Sequence, residues 1–268
     1  IRRLQPEDLV SVVVYDHEVE TLVPAQPAKN IEWIESRIRD IKSRGNTALF
    51  GGVSQGAAEV RKHLEGKYIH RIVLLSDGLA NVGPASPDDL GRLGASLMKE
   101  HISVSTIGLG QDYNEDLMTK LSGQSDGNSY FAETSDDLPT IFAKELGDVL
   151  SVVASKVTLE VEFPAGVRPV RVIGREGRMN GNRVEFTLNQ LYGGQEKYAL
   201  VEVEVPASDA KDDKEIASAR CSYEDPVSQR LLSSEGRARA TFSESNDEIQ
   251  RNVNGDVQVE FAKNWSAL

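Results

Sequence analysis

Residues 71–78 read Arg-Ile-Val-Leu-Leu-Ser-Asp-Gly, an apolar run that ends in a polar turn. The run has the length of a strand and no polar alternation, which is typical of a strand buried on both faces of a sheet. A similar run covers residues 9–15, a further strand is expected at residues 102–107, and the segments between these strands carry apolar residues at helical spacing. Strands that alternate with helices across short loops predict an α/β fold with a doubly wound, mostly parallel sheet.

The other elements of this half follow from the same patterns. Residues 19–23 are expected to form an antiparallel return strand that Pro24 and Pro27 end. A short strand is expected at residues 129–131. Helices are expected from Asn30 to about Gly45, from Thr47 to Leu64, from Ser86 to about Glu100, from Asn114 to Leu121 and from Thr134 to about Val152.

The pattern changes after Val153, where apolar and polar residues alternate. Alternation is typical of strands buried on one face, and glycines and asparagines between the runs predict turns. The second half is therefore predicted to be an all-β antiparallel sandwich. Its strands are expected at residues 157–163, 167–173, 184–188, 198–205, 216–223 and 238–242, with a polar loop at residues 208–215.

The length of 268 residues leaves room for two domains and a short tail. We expect the α/β domain at residues 1–152 and the β-sandwich at residues 153–245. Residues 246–268 are expected to form a polar linker and the start of a C-terminal helix. In that last segment, apolar residues recur at a spacing of four, which is compatible with a helix.

Composition narrows the classes of function. The net charge is −12, with 42 acidic against 30 basic side chains and no local basic stripe, so no nucleic-acid partner is expected. No apolar run approaches the ~18 residues of a membrane span. Cys221 is the single cysteine, which excludes an intrachain disulfide. These features leave the compartment undecided.

Thr47 and Asp77 are the candidate functional residues. Asp77 ends a buried strand and Thr47 begins a helix, so both side chains are expected at the carboxyl edge of the parallel strands, where such sheets bind ligands. A hydroxyl and a carboxylate are hard oxygen donors that suit Mg²⁺ or Mn²⁺. Two donors are too few to hold an ion, and the residues alone also allow a structural interpretation, with Thr47 as a helix cap and Asp77 as a turn former.

Several motifs in order along the chain resemble the von Willebrand factor A-type domains of bacterial proteins. They are Gly-Asn-Thr-Ala-Leu at residues 45–49, Ser-Asp-Gly-Leu-Ala-Asn-Val-Gly at residues 76–83, Ser-Thr-Ile-Gly-Leu-Gly at residues 105–110 and the hairpin at residues 9–23. The resemblance covers residues 1–152. The β domain that follows is similar to the sandwich attached to such domains in bacterial proteins and, more distantly, in inter-alpha-trypsin inhibitor heavy chains.

The resemblance implies a metal-ion-dependent adhesion site. In that family its ligands come from an Asp-x-Ser-x-Ser loop after the first strand, from a threonine and from an aspartate, and here Thr47 and Asp77 match the second and third. Nothing before Leu9 contains the first motif, so the α/β domain is expected to be short of its N-terminal strand, with that strand and its loop upstream of Ile1. The resemblance implies Mg²⁺, Mn²⁺ or Ca²⁺ in the intact protein and a protein partner that presents an acidic side chain.

The sequence favours a non-enzymatic, adhesion-type binding module. Residues 52–56 match the Gly-x-Ser-x-Gly pattern of hydrolases, but Ser54 lies inside a predicted helix, whereas that pattern needs a strand before the serine. No catalytic residue is therefore assigned. Two alternatives stay open, a metal-independent structural or assembly element and an accessory subunit of an ATP-driven complex.

Overall fold

The computed structural model describes residues 1–42, 45–64 and 68–265. It contains two compact units, Ile1–Ser151 and a second that begins at Val152. The first combines helices with parallel strands and the second is rich in antiparallel strands. The predicted fold class, an α/β domain followed by a β-rich domain, is confirmed.

The strands of the first unit form two separate sheets. Strands β1 (Leu9–Tyr15) and β2 (Val19–Pro27) make an antiparallel hairpin. Strands β3 (His70–Ser76), β4 (Ile102–Leu109) and β5 (Ser129–Ala132) are parallel, in that order. Strand β4 lies in the middle and is buried along almost its whole length, including its polar residues Ser103, Ser105 and Thr106.

Five helices accompany these strands: α1 (Ile31–Arg39), α2 (Leu49–Arg61), α3 (Pro87–Lys99), α4 (Glu115–Gln124) and α5 (Leu138–Leu150). Asn30, Ser86 and Asn114 are the N-cap residues of α1, α3 and α4, and each side chain accepts a hydrogen bond from a backbone N–H of the first turn. The core lies between α2, α3, α4 and the parallel strands. It includes Val53, Leu74, Leu90, Val104 and Leu121.

Several predicted ends in this unit are wrong. Strand β2 continues through Pro24 to Pro27, because it pairs with β1 alone and a residue without an N–H is tolerated on an edge strand. Helix α1 ends at Arg39 and leaves Ile41 45% exposed. Residues 43 and 44, which the prediction included, lie outside the described residues.

Two further helix ends also differ from the prediction. Helix α2 ends at Arg61, so Leu64 lies beyond its apolar face and is 43% exposed. Helix α5 ends at Leu150, and Val152 begins a strand although it was predicted to close the helix. Val152 is β-branched, and it joins an extended run of alternating residues, which favours the strand.

The second unit contains a five-stranded and a two-stranded antiparallel sheet. The larger has the order β12-β11-β6-β9-β8 and the smaller pairs β10 with β7. The two sheets share a hydrophobic cluster that includes Phe163, Phe186, Val172 and Val201. The strands are β6 (Val152–Glu162), β7 (Arg168–Ile173), β8 (Arg178–Asn180), β9 (Arg183–Tyr192), β10 (Leu200–Glu204), β11 (Asp213–Glu224) and β12 (Leu231–Thr241).

The strand ends in this unit depart most from the prediction where side chains are exposed. Strand β8 was not among the predicted strands, and β11 begins at Asp213 inside the predicted polar loop. Strand β12 begins at Leu231, seven residues before the predicted start at 238. All residues of β12 are exposed, so no face of the strand required the apolar alternation on which the prediction relied.

Helices α6 (Asn246–Arg251) and α7 (Gly255–Trp265) complete the described chain. Helix α7 coincides with the apolar spacing found near the C-terminus, and residues 266–268 lie outside the described residues. Within the part of the chain that the structure describes, no helix is long and apolar enough to cross a membrane.

Candidate functional site

The two sheets of the first unit leave a gap between β1 and β3. Each strand pairs on one side only, β1 with β2 and β3 with β4, and among the described residues no strand pairs with their facing edges. Helix α2 packs against both strands. The hydroxyl of Tyr15, at the end of β1, donates a hydrogen bond of 2.8 Å to the carbonyl oxygen of Leu75 in β3. One side chain therefore bridges two strands that do not pair with each other.

Apolar side chains on β3 are exposed beside this gap. Val73 and Leu75 are each 37% exposed, whereas Leu74, on the opposite face, is 4% exposed and belongs to the core. In a doubly wound fold both faces of a parallel strand are normally covered. One face of β3 is therefore less covered than its sequence predicts.

The loop before α2 and the loop after β3 are joined at the carboxyl end of β3. The backbone N–H of Thr47 donates to Oδ1 of Asn81 over 2.7 Å. The backbone N–H groups of Asn81 and Val82 donate to the carbonyl oxygen of Thr47 over 3.1 and 3.3 Å. A Cβ atom placed on Gly78 would lie 3.4 Å from the Thr47 hydroxyl oxygen, so that hydroxyl lies beside the residue that follows Asp77.

The structure also corrects the structural interpretation of Thr47. Ala48, and not Thr47, is the N-cap residue of α2, and no side chain caps this helix. The Thr47 hydroxyl is therefore not used as a helix cap, while its backbone fixes the loop that carries Asn81. Sequence reasoning missed the role of Asn81, although its place four residues after Asp77 in a glycine-rich loop was a usable signal.

The pKa of Tyr15 depends on its burial and on the charge at this edge. Burial raises the pKa of the Tyr15 hydroxyl to about 12, the hydrogen bond with Ser76 lowers it, and the negative charge of Asp77 raises it further. The Asp77 carboxylate is thus close enough to act on a hydroxyl in the gap, although Asp77 itself is exposed. Tyr15 was not among the predicted site residues, because its contact with Leu75 spans 60 residues of sequence.

This pKa shift gives a test of the geometry. The unfolded phenol ionises near pH 10 and the folded one near pH 12, so between these values the folded chain holds a proton that the unfolded chain has lost. The stability that Tyr15 contributes is complete below about pH 10 and is lost as the pH rises towards 12. The free energy of unfolding of Tyr15→Phe is expected to fall less between about pH 8 and about pH 11 than that of the wild type. Urea unfolding at both pH values measures the difference.

The Tyr130 pKa is also raised. Tyr130 is present in both the wild type and Tyr15→Phe, so its effect on the pH dependence cancels when the two are compared. Asp77→Asn is expected to lower the Tyr15 pKa, because it removes a negative charge that disfavours the phenolate. An identical pH slope in the wild type and in Tyr15→Phe would contradict the placement of Tyr15.

The donor set at this edge suits a hard cation but is incomplete. The Thr47 hydroxyl and the Asp77 carboxylate are oxygen donors of the type that Mg²⁺ and Ca²⁺ prefer. Among the described residues, no cluster of three or more histidine, cysteine, aspartate or glutamate side chains could hold a metal. The structure brings the loops of Thr47 and Asp77 together, and metal binding by these two residues stays a prediction.

The first unit is thus an α/β domain whose polar loops meet at the carboxyl edge of its parallel strands, where such folds bind ligands. The chain belongs to the von Willebrand factor type A domain family, whose profile matches residues 1–144. Domains of this family mediate protein interactions and are typically non-enzymatic.

Two curated relatives illustrate the range of the match. The chain is 26% identical to the uncharacterized protein YfbK of Escherichia coli over 180 residues, which cover 66% of this chain and 31% of YfbK. It is 23% identical to inter-alpha-trypsin inhibitor heavy chain H3 of Bos taurus over 133 residues, which cover 46% of this chain and 15% of the heavy chain. The chain thus spans a third or less of these relatives' length.

A solved structure matches almost the whole chain. The von Willebrand factor type A protein from Catenulispora acidiphila aligns over 95% of this chain and 62% of its own, with a TM-score of 0.77 and 16% sequence identity. At this identity the match shows the fold, and it extends over the second unit as well as the first.

Proposed function

We propose that this chain is part of a non-enzymatic, adhesion-type binding module whose contact with a protein partner depends on a divalent metal ion. The observation that carries the proposal is the meeting of the Thr47 and Asp77 loops beside the gap between β1 and β3. Polar donors at the carboxyl edge of a parallel sheet are placed to bind a ligand.

The gap between β1 and β3 favours the presence of a further strand there. Both facing edges are open to backbone pairing, and an inserted strand would satisfy them in one step. We propose that a segment upstream of Ile1 fills the gap and that the loop after it reaches Thr47 and Asp77. That loop would supply the Asp-x-Ser-x-Ser ligands that the family resemblance implies. A helix after it would cover Val73 and Leu75, which are now exposed.

Thr47 and Asp77 would hold the ion together with that loop. A bound Mg²⁺ keeps exchangeable coordination positions, one of which can accept a carboxylate of a partner. The chain carries a net charge of −12, so it would repel an acidic partner unless a cation stood between them. A partner that presents an acidic side chain therefore fits the proposal.

The test is recovery of protein partners from the source organism's extract with a chain extended upstream of Ile1. We expect Mg²⁺-dependent recovery that EDTA abolishes and that Asp77→Asn lowers by at least about tenfold, because the variant removes the one charged ligand of this chain. Asp126→Asn is the matched control. Asp126 lies between α4 and β5, where the parallel strands begin, and asparagine tolerates its left-handed backbone at φ 57°.

Equal recovery with and without EDTA, and from Asp77→Asn, would exclude the metal-bridged function. That result would favour a metal-independent structural or assembly element. Recovery of an ATPase as partner, in an amount that EDTA does not reduce, would favour an accessory subunit of an ATP-driven complex.

A further inference from the structure

Strand β12 forms one edge of the five-stranded sheet in the second unit. It pairs with β11 along one side, and among the described residues no strand pairs with its other side. All 11 residues of β12 are exposed, and the strand contains no proline. A long, regular edge with open backbone groups is a template for another strand.

Gly236 lies at the midpoint of this strand, five residues from Leu231 and five from Thr241. A Cβ atom on Gly236 would meet no atom within 4 Å, and its φ is not in the left-handed region. Glycine inside a strand costs stability relative to residues with a side chain. Nothing in the chain's own fold requires glycine here.

The charged residues of β12 are placed so that one copy of the strand is complementary to a second, antiparallel copy when both are centred on Gly236. Glu235 and Arg237 flank Gly236 and point to the same face of the sheet. If two copies of β12 pair antiparallel about Gly236, the full length of both strands overlaps. Each Glu235 then faces Arg237 of the second copy, which gives two opposite-charge pairs per dimer.

Three neighbouring registers each introduce a like-charge pair. A pairing centred on Glu235 or on Arg237 places that residue opposite itself, although the Arg237 register also places Glu235 opposite Arg239 of the second copy. A pairing centred on Ala238 places Arg237 opposite Arg239 of the second copy. Like charges directly opposite each other destabilise a strand pair. On the other face, Ser234 would face Ala238 of the second copy, and both side chains are small.

We propose that β12 is a homodimer interface, in which two copies of this chain join their sheets antiparallel about Gly236. The interface side chains are already held on the correct face by ion pairs within the chain. Arg220 contacts Glu235 at 2.6 Å and Arg237 contacts Glu215 at 3.4 Å. In the dimer each Glu235 lies between Arg220 of its own chain and Arg237 of the second copy.

Charge reversal tests this register. Glu235→Arg and Arg237→Glu each place like charges opposite one another in the homodimer, and each is expected to weaken dimerisation by at least about tenfold in sedimentation equilibrium at low ionic strength. A mixture of the two variants is expected to form a heterodimer, because one strand then presents two arginines to two glutamates. The double variant E235R/R237E restores opposite charges between the two copies and is expected to dimerise more tightly than either single variant.

Glu162→Arg is the matched control. Glu162 lies on β6, inside the same sheet, and pairs with Arg183 of the neighbouring strand. Its reversal is expected to leave the dimerisation constant unchanged. A wild-type chain that stays monomeric up to about 100 µM would overturn the proposal. A dimerisation constant that neither single reversal changes would overturn it as well. So would a mixture of the two single variants that forms no heterodimer.

Discussion

Glu145→Ala is expected to lower the free energy of unfolding of the first unit by about 3–5 kcal/mol. Glu145 is 2% exposed and is the one buried residue of α5. Its carboxylate contacts the Arg71 guanidinium at 3.0 Å, and the side chain of Arg71 is itself 5% exposed. Removing the carboxylate would break a buried ion pair and take one negative charge away from the Arg71 guanidinium, which is the costly outcome for a buried pair.

The remaining contacts of this carboxylate enlarge the effect. Ser105 donates to Oε1 over 2.5 Å, and Asn128 and Tyr130 each donate to Oε2 over 3.0 Å. These residues belong to β4, to β5 and to the turn before β5, so the network joins α5 to the sheet by polar contacts. Loss of this network would also remove the polar contacts that hold α5 against the sheet.

Urea unfolding followed by circular dichroism measures this loss. Glu133→Ala changes an exposed glutamate and is expected to stay within about 0.5 kcal/mol of the wild type. The double variant R71M/E145L removes both charges and is expected to cost less than Glu145→Ala alone, because no charge stays buried. A loss below about 1 kcal/mol for Glu145→Ala would contradict the account of this network.

Gly127→Ala is expected to destabilise the first unit by about 3 kcal/mol or more. A Cβ atom on Gly127 would lie 2.0 Å from the carbonyl oxygen of Val104 and 3.0 Å from the backbone nitrogen of Ser105. Both atoms are backbone of β4, the central strand of the parallel sheet, and cannot move without breaking its hydrogen bonds to β3 and β5.

Gly123→Ala is the matched control, four residues earlier in the chain. Gly123 lies in α4, and a Cβ atom there would meet nothing within 4 Å. This variant is expected to be neutral or to gain up to about 1 kcal/mol from the higher helix propensity of alanine. Equal stability of the two variants in thermal unfolding would show that the turn at Gly127 is looser than described.

The sequence was sufficient for the order of elements in the first unit and for the edge at which Asp77 lies. The core of β3 is an uninterrupted apolar run, so its sequence predicts a strand well. Strand β12 is exposed on both faces and owes its conformation to pairing with β11, and its first residues, 231–235, carry no alternation. Ile41 continued the apolar spacing of α1 although the helix ends at Arg39, because local periodicity does not show where the core ends.

The candidate site was predictable only in part for the same reason. Thr47 lies two residues after Gly45 and Asp77 directly before Gly78, both in recognisable loops, and a parallel sheet brings such loops to one edge. The bonds that fix this edge, from Asn81 to Thr47 and from Tyr15 to Leu75, join residues 34 and 60 positions apart. Contacts of that span depend on the tertiary fold and leave no local pattern.

The central claim is that Thr47 and Asp77 hold a divalent ion once a strand fills the gap between β1 and β3. Its most direct test is a Mn²⁺ titration, followed by electron paramagnetic resonance, of the chain extended upstream of Ile1. The account predicts one saturable ion per chain, which Asp77→Asn and Thr47→Val abolish or weaken by at least about tenfold and Asp126→Asn leaves unchanged. Undiminished Mn²⁺ binding by Asp77→Asn, or no saturable binding by the extended wild-type chain, would contradict it.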